Sequence, residues 1–425
     1  MLLEASFDRF AENLCAPFYA DSRGRPSIPP GTYFRMFLVG YFEGIESQRG
    51  IAWRCADSLS LRKFLGIAMG EQSPDHSTLS VIRGRLPEEV HVAIFQWVLN
   101  LARQKKLLDG RRVGVDSTTL EANAAMKSIV RKDTGDDWKQ YIKTLMVEAG
   151  EVTDEDEPTD DDLRKFDRNR RGKTVSNDDW VSETDSDARI AKMKDGTTHL
   201  AYKAEHAVDL DSNMILAAEI YYADEADTKT LEDTMNTAQV NLLAAGGGDI
   251  REVAVDKGYH SAEVIETFAN ETRYRLYAAE KRLPEGKKHR WKTLTAARKK
   301  ALRNHQRRAS GAHGRALQRQ RSEIVERTFA HTCETGDARR SWLRGVVKVA
   351  KRYLMTAAAH NLGCLMRTLF GMGTPRSLQQ FTVKLRGSHP ALKTTPTAFT
   401  SLWITLVATR LATTPPASRP TLAAL

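Results

Sequence analysis

The chain predicts an α/β fold preceded by an all-α N-terminal domain. Three observations carry that reading. Apolar residues up to about position 108 recur at helical spacing, and strand-like runs alternate with helical ones from 111 to 332. Acidic residues close two of those strands and sit inside the last helix. A chain of 425 residues is long for one domain.

The N-terminal elements come first. YFRMFLVGYFEGI (33–45) and HVAIFQWVLNLARQKKLL (91–108) read as amphipathic helices. Between them RKFLGIAMG ends on Gly, and SPDHSTLSVIRGRL (73–86) opens with residues that cap a helix. Two short helices joined in this way fit a helix-turn-helix or a plain bundle, and the pattern alone does not choose.

The character then changes. RRVGVDSTT (111–119) is a short β-branched strand that ends near Asp116. A polar insertion follows at about 126–196, and its segment 148–162 holds nine acidic residues and no basic one, which reads as a solvated loop. THLAYKAEHAVD (198–209) and MILAAEIYYA (214–223) read as a hairpin turned at DSN. TLEDTMNTAQVNLLAA (230–245) is helical, REVAVDKGY (251–259) a buried strand, SAEVIETFAN (261–270) helical and RYRLYAA (273–279) a strand. RSEIVERTFAHT (321–332) and KVAKRYLMTAAAHNLGCLMRTLF (348–370) read as helices, and from 372 to 425 a Pro- and Thr-rich tail is expected to be flexible. The domains drawn from this are 1–108 and 109–371.

Composition narrows the partners. Lys plus Arg number 64 against 54 Asp plus Glu, a net charge of +10, which favours nucleic acid first and a membrane surface second. Between Lys281 and Val325 there are 15 Lys or Arg and only two acids, Glu285 and Glu323. A basic run lying between two parts of a site is expected to touch DNA, through Arg298, Lys299, Lys300, Arg303, Arg307 and Arg308. The four cysteines show no zinc spacing and read as reduced thiols. With no signal-peptide pattern, and with FTSLWITLVATRLA (399–412) too short to span a bilayer, the expectation is a cytoplasmic, nucleoid-associated protein.

The acids suggest chemistry. If the first and fourth strands are neighbours, Asp116 and Asp256 face each other, and two close carboxylates repel unless a cation sits between them. Mg²⁺ suits such a site, and two ions together can drive phosphoryl transfer. A third carboxylate from a helix would complete the set.

The blocks around these acids resemble the bacterial insertion-sequence DDE transposases. RPSIPPGTYFRMFLVGYFEGIESQRGIAWRCADSLSLRKFLG (25–66) resembles that family's helical N-terminal domain. VGVDSTTLEANA resembles the block of its first Asp, TDSDARIAKMKDGTTHLAYKAEHAVD (184–209) the lead into its second and third strands, VAVDKGYHS the second Asp, and IVERTFAH the Glu helix. The resemblance implies a ribonuclease-H-like mixed five-stranded sheet with flanking helices. It further implies that Asp116, Asp256 and Glu326 are the catalytic metal ligands, holding Mg²⁺ (two ions, with Mn²⁺ as a substitute). Cleavage and strand transfer at transposon ends follow, on double-stranded DNA (inverted repeats and target) and as a homodimer or higher assembly. The alternative is a transposase-derived DNA-binding protein that no longer cleaves.

One departure stands out. Where related transposases place Arg four before the Glu, Tyr three before that Arg and Lys seven after the Glu, this chain has Ser322, Arg319 and Cys333. Arg321 and Arg327 lie close by as substitute phosphate contacts. Glu323, one turn before Glu326, is expected to pair with Arg319 or Arg327 instead of a metal. His206 reads as a hydrogen-bonded sheet histidine, Tyr259 as packing behind Gly258, and His260 as exposed or capping.

Overall fold

The computed structural model describes residues 1–19, 27–170, 176–193, 195–280 and 294–374. Residues 281–293 of the basic run, and the expected tail beyond 374, lie outside the described residues.

Six helices come first: α1 (Phe7–Cys15), α2 (Pro30–Glu43), α3 (Gln48–Asp57), α4 (Leu59–Leu65), α5 (His76–Arg85) and α6 (Glu88–Gln104). Ser47, Ser58 and Asp75 cap α3, α4 and α5 by accepting from backbone amides. α4 and α5 are separated by residues 66–75, longer than the turn of about three or four residues in a helix-turn-helix, and α5 packs on α3. The helices therefore form a bundle. They share one hydrophobic core with the rest of the molecule, because α6 and α2 pack against the last helix, α13 (Val346–Phe370).

The sheet explains the alternating pattern. Its strands are β1 (Arg112–Glu121), β5 (Thr198–Asp209), β6 (Ile215–Tyr222), β7 (Glu252–Val255) and β8 (Arg275–Ala278). β1 pairs antiparallel with β5 and parallel with β7, β7 pairs parallel with β8, and β6 pairs antiparallel with β5. In space the order is β6-β5-β1-β7-β8, with only the second strand of the chain order reversed. That is the ribonuclease-H-like arrangement. A short strand, β4 (Arg189–Lys192), adds a sixth member beside the start of β5.

Helices α9 (Asp227–Ala244) and α10 (Ala262–Asn270) link the later strands, and α11 (Ala296–Ser310) follows β8. α12 (Ala312–Phe329) then crosses the other face of the sheet. Its Gln318 amide donates to the carbonyls of Val255 and Tyr277, and further along His206 on β5 bonds Thr328.

The insertion is more structured than its polar composition suggested. It carries a small antiparallel pair, β2 (Ile129–Arg131) and β3 (Trp180–Ser182), with α7 (Trp138–Glu148) and α8 (Asp160–Asn169) around a separate core of Ile142, Met146 and Leu163. The acidic segment 148–162 is itself a mostly exposed loop from 149 to 159, as expected, and only its ends enter α7 and α8. Thr159 caps α8 in a reciprocal box with Asp162, and Asp160, Asp161 and Asp162 occupy the first turn, where the positive end of the helix dipole favours carboxylates. All four cysteines are free and buried. Among the described residues no helix is long and apolar enough to cross a membrane.

Candidate active site

β1 does not stop at Asp116. It runs on to Glu121 because β5 is long enough to pair with its outer half, from Asp116 opposite His206 to Glu121 opposite Ala201. β7 ends earlier, with Val255 level with Val115. Asp256 therefore leaves the sheet beside Asp116, and both side chains lie at one rim, on the face covered by α12.

A cation already stands there. Arg321 of α12 donates from one terminal nitrogen to Asp116 Oδ2 at 2.8 Å, and its other terminal nitrogen lies 3.6 Å from Asp256 Oδ1. Asp116 Oδ1 also accepts from the Ser117 amide at 2.9 Å. The Arg321 side chain is 8% exposed, Asp116 25% and Asp256 41%. Burial lifts the Asp116 carboxyl above its ordinary range and the nearby Asp256 adds to the rise, while Arg321 and the Ser117 amide pull it down. The approach of α12 depends on Gly114, where a β-carbon would come within 2.9 Å of Val325 and 3.0 Å of Arg321.

Glu326 is not in this cluster. It is exposed, and its Oε1 accepts from Ser322 one turn earlier at 3.1 Å. Gln318, Ser322 and Glu326 follow one another at intervals of four along one side of the helix. Glu323 faces solvent and pairs with Arg327, as expected. Phe329 is buried and stacks on His206 with ring centroids 4.1 Å apart, which seats that end of α12 on the sheet. Among the described residues no three His, Cys, Asp or Glu side chains lie close enough together to hold a metal.

The expected DNA contacts divide. Lys300, Arg303 and Arg307 are exposed along one side of α11. Arg298 is tied to Glu266 at 2.5 Å, and Arg308 is partly buried with its guanidinium 3.5 Å from the Leu276 carbonyl. Lys299 is half-buried, and Arg327 is held by Glu323. Cys333 is buried against Tyr353, so the side chain at that position carries no charge.

Two family models match the chain. One, described as Transposase domain (DUF772), matches residues 2–85, and the other, Transposase DDE domain, matches residues 160–362. The chain belongs to the insertion-sequence DDE transposases. The DDE-domain match takes in Asp256 and Glu326 but begins after Asp116, so the first aspartate rests on its place beside the second. No curated protein matches the chain. Among solved structures, a chain of the Mos1 transposase paired-end complex with left transposon end is similar at 11% identity. The similarity covers 76% of this chain and 84% of that one, with a TM-score of 0.19, too loose to bear on the site.

The transposase sheet carries a second polar cluster that the sequence reading did not single out. On the α9 face, Lys203 donates to Asp227 at 3.0 Å and to Thr230 at 2.8 Å, and lies 3.4 Å from Glu205. Thr230 and Tyr259 both donate to Glu205 Oε2, at 2.8 and 2.9 Å, and the Ser117 hydroxyl donates to Asp227 at 3.0 Å. Tyr259 is thus more than packing. Gly258 is required by proximity rather than by a turn, since a β-carbon there would lie 2.6 Å from Asp227 Oδ2. The available signal was Lys203 and Glu205 at alternate positions, on one face of a buried strand.

His206 fits its expected structural role. Thr328 donates its hydroxyl proton to the Val325 carbonyl, so His206 Nδ1 donates to Thr328 at 2.9 Å and Nε2 accepts from Tyr353 at 2.8 Å. Full burial keeps the ring neutral, pushing its pKa well down. His260 is half-buried with its ring 5.5 Å from that of His305.

Proposed function

We propose that this transposase cleaves and joins DNA at the ends of an insertion sequence, using Asp116, Asp256 and Glu326 with Mg²⁺ or Mn²⁺. One observation carries the reading: two aspartates on adjacent strands at the sheet rim already share a positive group. An all-oxygen pair whose repulsion needs a cation suits a hard divalent ion, and the guanidinium is the stand-in that marks the place. When bound, such ions activate the attacking oxygen and stabilise the leaving one.

The chain's own residues do the rest. β1 and the end of β7 fix the two carboxylates on a buried sheet, and the Ser117 amide orients Asp116. Glu326, exposed on the same helix as Arg321, is the third carboxylate of this reading. The exposed Lys300, Arg303 and Arg307 offer a row of charges to the phosphates of double-stranded DNA (inverted repeats and target), with a second copy of the protein expected on the DNA.

The test is cleavage of a labelled duplex carrying the inverted repeats that flank the gene. Wild type should cut with Mg²⁺ or Mn²⁺ and stop in excess chelator. Asp116→Ala should bind the duplex and not cut it, because affinity comes mostly from Lys and Arg on phosphates. Near-normal cutting by Asp116→Ala would remove the assignment. A second reading, DNA binding without cleavage, is favoured by the outward position of Glu326 and the lack of a three-acid group among the described residues. Tight binding with no cutting by wild type would select it.

A further inference from the structure

Among the described residues Arg321 is held only by the groups it neutralises. Its terminal nitrogens face Asp116 and Asp256, while its buried Nε has no hydrogen-bond partner among the described residues. Two other buried cations, Lys203 and Lys351, are fixed differently. Lys203 donates to Asp227, to Thr230 and to the Glu225 carbonyl, and Lys351 to the carbonyls of Arg83 and Leu86. Those ammonium groups are anchored by neutral acceptors, and Lys203 by Asp227 as well. The guanidinium of Arg321 has only the two carboxylates that a divalent cation would also need.

Competition follows from that geometry. A cation cannot take Asp116 Oδ2 while the guanidinium is 2.8 Å from it without placing two positive groups together. Displaced from the aspartates, a planar guanidinium suits the oxygens of a phosphodiester, which it can grip with two donors. Resting on the reading of Asp116 and Asp256 as cation ligands, we propose that Arg321 is a gate on metal entry. It neutralises the two aspartates in the free protein, holds their metal affinity low, and releases them when a DNA phosphate offers it another anion. Because coupling between two ligands is reciprocal, metal and DNA then strengthen each other's binding. The device keeps the free protein from loading metal before its substrate is in place. It also gives the arginine, one residue out of the family's usual register, a role other than a fixed phosphate clamp.

The experiment measures Mn²⁺ affinity directly, by the paramagnetic resonance of free Mn²⁺, on wild type, Arg321→Gln, Arg321→Lys and Asp116→Asn. No catalysis is involved. Arg321→Gln should bind Mn²⁺ about tenfold more tightly than wild type. Adding a short duplex should tighten Mn²⁺ binding by wild type and leave Arg321→Gln unchanged, after subtracting the Mn²⁺ bound by the duplex with Asp116→Asn protein. Circular dichroism checks that each variant is folded. If Arg321→Gln does not fold, Arg321→Lys decides, since a lysine cannot span both carboxylates and should bind Mn²⁺ more tightly than wild type. Affinity equal to or weaker than wild type, with Asp116→Asn abolishing binding, overturns the gate and leaves the proposed function standing. Binding that Asp116→Asn does not alter overturns both.

Discussion

The rim of the sheet carries two clusters of acids and a cation, one on each face, and they are built to opposite ends. On the α9 face Lys203 and Glu205 are nearly inaccessible, and Thr230, Tyr259 and Ser117 bind the acids from several sides. On the α12 face Asp116 and Asp256 stay partly open, and a single guanidinium bridges them. Adjacent residues of β1 serve the two clusters, Asp116 pointing to one face and Ser117 to the other. The difference teaches which cluster can exchange its cation. A charge held by many short bonds in a dry site is structural, whereas one held only by two partly open carboxylates is free to be replaced.

The comparison can be broken on the open face first. Glu326→Gln should lower cleavage by orders of magnitude, while Glu323→Gln, which loses only a solvent pair with Arg327, should change it little. Single-turnover cleavage of the labelled end measures both, and a dead Glu323 variant would mean that α12 turns another side to the substrate. The closed face should respond in stability. Lys203→Met leaves Glu205 and Asp227 without their cation and should cost about 3–5 kcal/mol in urea unfolding. A loss below about 1 kcal/mol would show that the network is no more than a surface pair.

The smallest effect sharpens the closed face through pH. Glu219 lies opposite Glu205 across the β5–β6 ladder. Burial first, and then Glu88, Glu205 and Asp233, raise its carboxyl to about 7. A raised folded value means that the fold favours the protonated form. The associated stability is full below the ordinary carboxyl range and is lost as pH rises through about 7. Glu219→Gln should therefore melt about 2–4 °C above wild type at pH 8, with the gap closing toward pH 4. A gap that does not depend on pH would place the effect elsewhere.

Much of the fold was legible because its periods are clean. β5 spans the stretch 198–209 read as an alternating strand, and Asp75 caps α5 as its position implied. Asp116 and Asp256 could be paired on paper since β1 and β7 each carry an acid after an apolar run. The two helices flanking the acidic segment were harder. Charge hid the spacing of Ile142, Met146 and Leu163, which form a core too small to stand out from sequence. The role of Arg321 was not legible either. Its register relative to Asp116 depends on how closely α12 approaches Gly114, and that distance is set by the packing of Val325 and Phe329 rather than by local pattern.

The most direct test sets one aspartate from each face side by side. Asp256→Asn and Asp227→Asn each remove one charge at the rim, and cleavage and melting temperature are measured on the same preparations. The expected result is that Asp256→Asn keeps its melting temperature and loses about a thousandfold or more in cleavage, roughly 4 kcal/mol of barrier. Asp227→Asn should melt several degrees early yet cut within about tenfold of wild type per folded molecule. An Asp227 variant that melts normally and does not cut, beside an Asp256 variant that does cut, would contradict the assignment of catalysis to the α12 face.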